Sequence, residues 1–173
     1  MSSETATSCT SASPTRGPVV NLLHFEDFVV GEVARYGDQL VTAQEIIAFA
    51  KKYDPQPFHV DAEAAKHSQA GGLIASGWHT GVMLMRMNCD EFLLRAASEG
   101  GPGAEEVSWL KPVRPGDRLG VRRTILAARP SRSRATLGIV EFLFEVVNQN
   151  DEVVMRQRNA GFLRRRQPGT IAP

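Results

Sequence analysis

The chain has 173 residues and a mass of 18.9 kDa, one domain's worth of sequence with enough length for a sizeable core. Its 20 basic and 19 acidic residues leave a net charge of +1, and 42% of residues are apolar. That balance asks for no nucleic acid and no membrane surface. Two cysteines, Cys9 and Cys89, make no disulfide framework and fit a reducing, cytoplasmic setting. The four histidines, His24, His59, His67 and His79, share no zinc-like spacing with them. No apolar run is long enough to cross a bilayer.

Residues 1–20 are rich in Ser, Thr, Ala and Pro and read as a flexible leader without the apolar stretch of a secretory signal. Residues 21–166 read as a single domain, followed by a flexible tail over 167–173. Leu22 to Val30 is expected to lie as an arm across that domain, and Gly31 ends it. Val33 to Val41 reads as a strand with a turn at Gly37-Asp38. Thr42 is a good N-cap with Glu45 as its capping-box partner. The stripe Ile46, Ile47, Phe49, Ala50 and Tyr53 predicts a helix over Ala43–Lys52 that delivers the chain to Asp54.

The stretch from Tyr53 to Thr80, YDPQPFHVDAEAAKHSQAGGLIASGWHT, holds the candidate chemistry. Pro55 and Pro57 each fix their own φ and push the preceding residue out of the helical region. The segment Asp54–His59 is therefore expected to be a stiff, extended loop holding a carboxylate and an imidazole in fixed relation. A stiff loop suits acid/base work. The two residues alone also fit a helix cap and a surface histidine. Asp61 caps a short helix to His67, with Ala64 where a capping box would place Glu or Gln. Gly71-Gly72 breaks the chain, and Ser76-Gly77 precedes a helix predicted from Trp78 to Ala97.

Apolar residues on most sides of that helix predict that it is buried. Met83, Met85 and Met87 cannot share one face, and core packing is their expected use, with the lining of an acyl tunnel as the alternative. After a break over Ser98–Gly103 the chain is strand-like. Strands are expected over Glu105–Val113, Arg118–Ala128, Ala135–Val147 and Glu152–Leu163, with turns at Pro112–Asp117 and Asn148–Asp151. Antiparallel strands with one buried helix supplied earlier make an α+β arrangement.

The pattern D-x-x-P-x-H, then D-x-x-x-A, then GGLIASG, resembles the signature of the MaoC-like (R)-specific enoyl-CoA hydratases. The turn KPVRPGD, Lys111–Asp117, is a second point of similarity. The resemblance runs from about Phe25 to Arg165. The family's usual loop is D-x-N-P-[LIV]-H, and here Gln56 and Phe58 depart from it. The resemblance implies a hot-dog fold, a curved antiparallel sheet wrapped around a long central helix. It also implies Asp54 and His59 as a dyad holding one water, and Gly77 as the oxyanion glycine whose backbone N–H faces the substrate.

By itself Gly77 also fits a simple helix-entry turn. Ser76 either caps the helix or touches substrate, and Gln56 hydrogen-bonds the dyad or its water. Trp78 and Trp109 read as core or interface residues, with Trp78 also a candidate substrate contact. His67 and His79 read as bystanders. The implied substrate is a 2-enoyl or 3-hydroxyacyl thioester, with CoA as part of the substrate and no separate cofactor. Arg114, Arg118 and the terminal arginines are candidate contacts for it. The implied partner is a second copy of the chain, as a homodimer or a dimer of dimers. A thioesterase, or a non-catalytic thioester-binding subunit of a heteromeric dehydratase, are the competing activities.

Overall fold

The computed structural model describes residues 22–168, so the expected leader and most of the expected tail lie outside them. Five strands form one antiparallel sheet: β1 (Val33–Leu40), β2 (Gly103–Trp109), β3 (Arg118–Pro130), β4 (Leu137–Val147) and β5 (Val153–Arg164). Their order across the sheet is β1-β3-β4-β5-β2, with antiparallel pairing throughout. Four helices precede β2: α1 (Ala43–Tyr53), α2 (Pro57–Val60), α3 (Ala62–Lys66) and α4 (Gly77–Glu91). A single long helix against an antiparallel sheet is the hot-dog arrangement, and the α+β reading stands. Among the described residues no helix is long and apolar enough to cross a membrane.

The concave face is built by alternation on the central strands. Val140, Phe142, Phe144 and Val146 of β4, with Leu119, Val121 and Ile125 of β3, point inward and are buried. Against them α4 turns Met83, Leu84 and Met87. The arm ends in Phe28, whose ring meets Phe142 edge-on at 5.8 Å and so packs into the core as the arm was expected to do. At Gly37 a side chain would have no room: a Cβ there would lie 2.3 Å from Met87 Sδ. Its φ of +80° also favours glycine. The expected turn at Gly37-Asp38 is therefore a bulge between Tyr36 and Gln39 within one continuous strand.

Three further expectations change. Asp54–His59 is not extended throughout, because Pro57 starts the one-turn helix α2 and His59 sits on it. Proline's fixed φ is as good for a first helical residue as for a loop. The long helix ends at Glu91, not Ala97, and a separate 3-10 turn follows at Leu93–Arg95. Finally, α4 is not buried all round. Trp78, Val82 and Met85 are 63%, 55% and 50% exposed, and their spacing of four and three residues puts them on one outward stripe. The methionines divide accordingly, Met83 and Met87 into the core and Met85 outside.

Candidate active site

Helix α1 is held at its start by the reciprocal Thr42–Glu45 box, with 3.1 Å from each backbone N–H to the other residue's side chain. Its last turn closes with the Asp54 N–H donating to the Ala50 carbonyl at 2.9 Å. Asp54 is thus the C-cap of α1, and its direction is set by a helix axis, not by a free loop. The two prolines then turn the chain, and one turn of α2 brings His59 back against it. Asp61 accepts from the Glu63 and Ala64 N–H groups at 2.8 and 3.1 Å, starting α3 as expected.

The carboxylate and imidazole meet. His59 Nε2 lies 3.5 Å from Asp54 Oδ2, and His59 is only 5% exposed. His59 Nδ1 is 2.7 Å from the Ile74 carbonyl oxygen. A carbonyl only accepts, so Nδ1 carries a hydrogen, and in the neutral ring Nε2 is left as an acceptor. Two acceptors then face each other at 3.5 Å. A water beside the pair, giving one hydrogen to each acceptor, relieves that apposition.

Both oxygens of Asp54 are gripped. Gln56 Nε2 donates to Oδ1 at 2.8 Å, and Ser76 Oγ donates to Oδ2 at 2.7 Å. These two bonds, Ser76's first, hold the Asp54 carboxyl below the ordinary aspartate range. Ser76 is 1% exposed and is also the N-cap of α4, accepting from the Trp78 N–H at 3.2 Å. One hydroxyl therefore ties the end of α1 to the start of α4.

Gly77 is the first residue of α4, where an N–H has no intrahelical acceptor and the helix end carries positive partial charge. The absence of a side chain at Gly77 is required by packing. A Cβ would stand 2.5 Å from Trp109 Cε2 and 2.6 Å from its Nε1. Trp109 in turn meets Trp78 edge-on at 5.2 Å.

All six sequence candidates, Asp54, Gln56, His59, Ser76, Gly77 and Trp78, line one cleft of about 470 Å³. Phe58, Thr80, Trp109, Lys111 and Pro112 line it too and were not among the sequence candidates for the site. Lys111 and Pro112 open the KPVRPGD turn, a signal that was in hand but read only as a fold marker. Of the basic candidates, Arg118 and the terminal arginines do not line the cleft. Arg118 is paired with Asp38 at 2.8 Å, Arg165 with Glu26 at 3.7 Å and Arg166 with Asp27 at 2.7 Å. His79 is buried and stacks on Phe49 at 4.6 Å, outside the cleft lining. Among the described residues no group of three or more His, Cys, Asp or Glu side chains is placed to hold a metal.

Known proteins share this arrangement of elements. The crystal structure of a MaoC-like dehydratase from Rhodospirillum rubrum is 44% identical, covers 84% of this chain and 99% of its own, and superposes with a TM-score of 0.78. An R-hydratase from Pseudomonas aeruginosa is 21% identical, with 87% and 94% coverage and a TM-score of 0.68, a likeness of fold. An uncharacterized protein of Bacillus subtilis is 30% identical over 129 residues, 75% of this chain and 90% of its own. Residues 27–143 match the family described as MaoC like domain, and with that span, the hot-dog sheet and the likeness to the Rhodospirillum protein, the chain belongs to the MaoC-like family.

Proposed function

We propose that the protein is a hydro-lyase that adds water to, or removes it from, a 2-enoyl or 3-hydroxyacyl thioester, with Asp54 and His59 as its dyad. The observation that carries the reading is the 3.5 Å gap between Asp54 Oδ2 and an acceptor Nε2 of His59. Each side of that gap is fixed by bonds to other groups. A water held there presents its oxygen to the β-carbon of a conjugated thioester. As the C–O bond forms, one O–H bond of the water breaks into the dyad. The dyad returns a proton to the α-carbon, so that it ends as it began. Charge that gathers meanwhile on the thioester oxygen is met by the Gly77 N–H and the α4 terminus.

Ser76 and Gln56 keep Asp54 ionised, which is the state that accepts a hydrogen from water. Gln56 thereby does by a longer side chain what the shorter Asn of the family pattern would do at that position. CoA enters as part of the substrate and no separate cofactor is invoked. The protein works as a homodimer, supported by the apolar stripe on α4 and by β2, which ends the sheet with one side unpaired.

The test is loss of the conjugated enoyl absorbance of crotonyl-CoA with wild type, Asp54→Asn and His59→Ala. Each substitution is expected to lower kcat by roughly 10²-fold or more, the usual share of a positioned acid/base. Turnover by both variants at the wild-type rate refutes the dyad. Release of free thiol in place of 3-hydroxyacyl thioester replaces the hydro-lyase with a thioesterase.

A further inference from the structure

Beside the catalytic cleft lies a second, mostly apolar hollow of about 620 Å³, lined by Phe58, Ser68, Gln69, Ala70, Ile74 and Pro112. Phe58, Ile74 and Pro112 belong to both linings. Those three side chains form the border between the two spaces. At the hollow's edge stands Arg114. Its Nη2 donates to the Ala70 carbonyl at 2.5 Å, and its Nη1 is 3.3 Å from where a Cβ on Gly72 would be.

The guanidinium is exposed, and one of its five donors is engaged. Asp117 accepts the backbone N–H of Arg114, not its guanidinium. Three other cations of this region are taken: Lys111 is paired with Glu152, Lys66 with Glu63 and Arg118 with Asp38. Of these four cations beside the KPVRPGD turn and the hollow, Arg114 has no carboxylate partner. A guanidinium in that state is suited to a phosphate.

We infer that this hollow takes the phosphopantetheine arm of the substrate, with Arg114 against its phosphate. The inference rests on the thioester reading above. The arm is a run of methylenes and a branched carbon interrupted by two amides and closed by a phosphate. Phe58, Ala70, Ile74 and Pro112 offer the apolar wall, Gln69 offers an amide, and Arg114 meets the charge. An acyl tail has no group that could use Gln69 or Arg114. Coenzyme A and an acyl carrier protein both bear this arm, so Arg114 serves either source.

The experiment uses four crotonyl thioesters, those of N-acetylcysteamine, pantetheine, 4′-phosphopantetheine and CoA, with wild type, Arg114→Glu and Arg114→Lys. The expected result is a KM raised roughly tenfold or more by Arg114→Glu on the two phosphate-bearing substrates, beyond any change on the two that lack phosphate. Arg114→Lys, which keeps the charge, is expected to recover part of that loss. An equal rise on all four substrates, or none on any, overturns the inference. Crotonyl acyl carrier protein compared with crotonyl-CoA identifies the source, and the assignment requires Arg114 dependence on whichever is preferred.

The hydro-lyase reading is judged separately, on crotonyl-N-acetylcysteamine with wild type and Asp54→Asn, where no phosphate is present. If wild type turns over none of these substrates, calorimetric titration with CoA itself still decides the hollow. Binding weakened by Arg114→Glu supports it, and equal binding overturns it.

Discussion

Replacing Gly77 with alanine sets two effects of opposite sign against each other. By helix propensity alone the change is favourable, since glycine in a helix is about 0.5–1 kcal/mol worse than alanine, and less at a first-turn position. Packing opposes it. The new methyl carbon would fall 2.5–2.8 Å from three ring atoms of Trp109, well inside van der Waals contact, and an indole ring cannot bend away. Either Trp109 swings out or the start of α4 moves. Swinging out forfeits the edge-on contact with Trp78, about 0.5–1.5 kcal/mol beyond the buried area. Moving α4 is an overpacking cost of typically about 1–3 kcal/mol. Packing wins by either route, so Gly77→Ala is expected to destabilise by about 1–2 kcal/mol.

The assay is urea unfolding followed by far-ultraviolet circular dichroism, on Gly77→Ala, Trp109→Ala and the double variant. With Trp109 gone the methyl group has space, and the propensity gain should reappear. The double variant is then as stable as Trp109→Ala or more so, which is a coupling that additive effects cannot give. Activity follows the same geometry: a Gly77 N–H displaced by about 1 Å costs up to roughly 10²-fold in kcat. A Gly77→Ala protein as stable as wild type and fully active refutes both the packing account and the place given to the helix terminus.

Two other outcomes follow from the same contacts. Ser76 supplies the leading cause of the lowered Asp54 pKa, so Ser76→Ala should raise it. On the proposed function the working form is the carboxylate, present above the pKa and lost as pH falls through it, so the acid limb of the pH–activity profile should move to higher pH. A lost cap alone lowers stability without moving that limb, and Ser76→Thr should largely restore it. On the outer stripe of α4, Val82→Glu puts an unpaired charge where the second copy is expected. Sedimentation should then show the 18.9 kDa chain as monomer, with wild type expected at twice that mass. A wild type that is itself monomeric, or a Val82→Glu protein that stays dimeric, rejects that interface.

Much of this was legible because it is local. The cap at Thr42, the cap at Asp61 and the alternation through Val140, Phe142, Phe144 and Val146 are properties of neighbours in sequence, and each element formed where they pointed. What local reading missed needed distance. Gln56, read from the sequence as a hydrogen-bond partner of the dyad, does donate to Asp54, but the second partner of Asp54 is Ser76, twenty-two positions on. Periodicity gives no hint that a helix cap will also grip a carboxylate. The partner of His59 Nδ1 is a backbone carbonyl at Ile74, which no side-chain pattern encodes. The reason for Gly77 is Trp109, thirty-two positions away. Proline misled in the other direction. It marks loops and first helical turns alike, and here Pro57 marks a helix.

The same local logic explains the error over α4 and shows what it means. A helix apolar on most sides is read as buried, and the reading counts burial against any protein surface, its own or a copy's. In one chain the sheet covers the face with Met83, Leu84 and Met87 and leaves Trp78, Val82 and Met85 outside. Trp78 is the join between that stripe and the chemistry, because it also lines the cleft, as do the half-exposed Trp109 and Leu110. Covering the stripe with a second copy therefore covers part of the cleft's rim. Water exclusion at the dyad would then depend on assembly, and a variant such as Val82→Glu, at a residue that does not line the cleft, should lose activity in step with its loss of dimer.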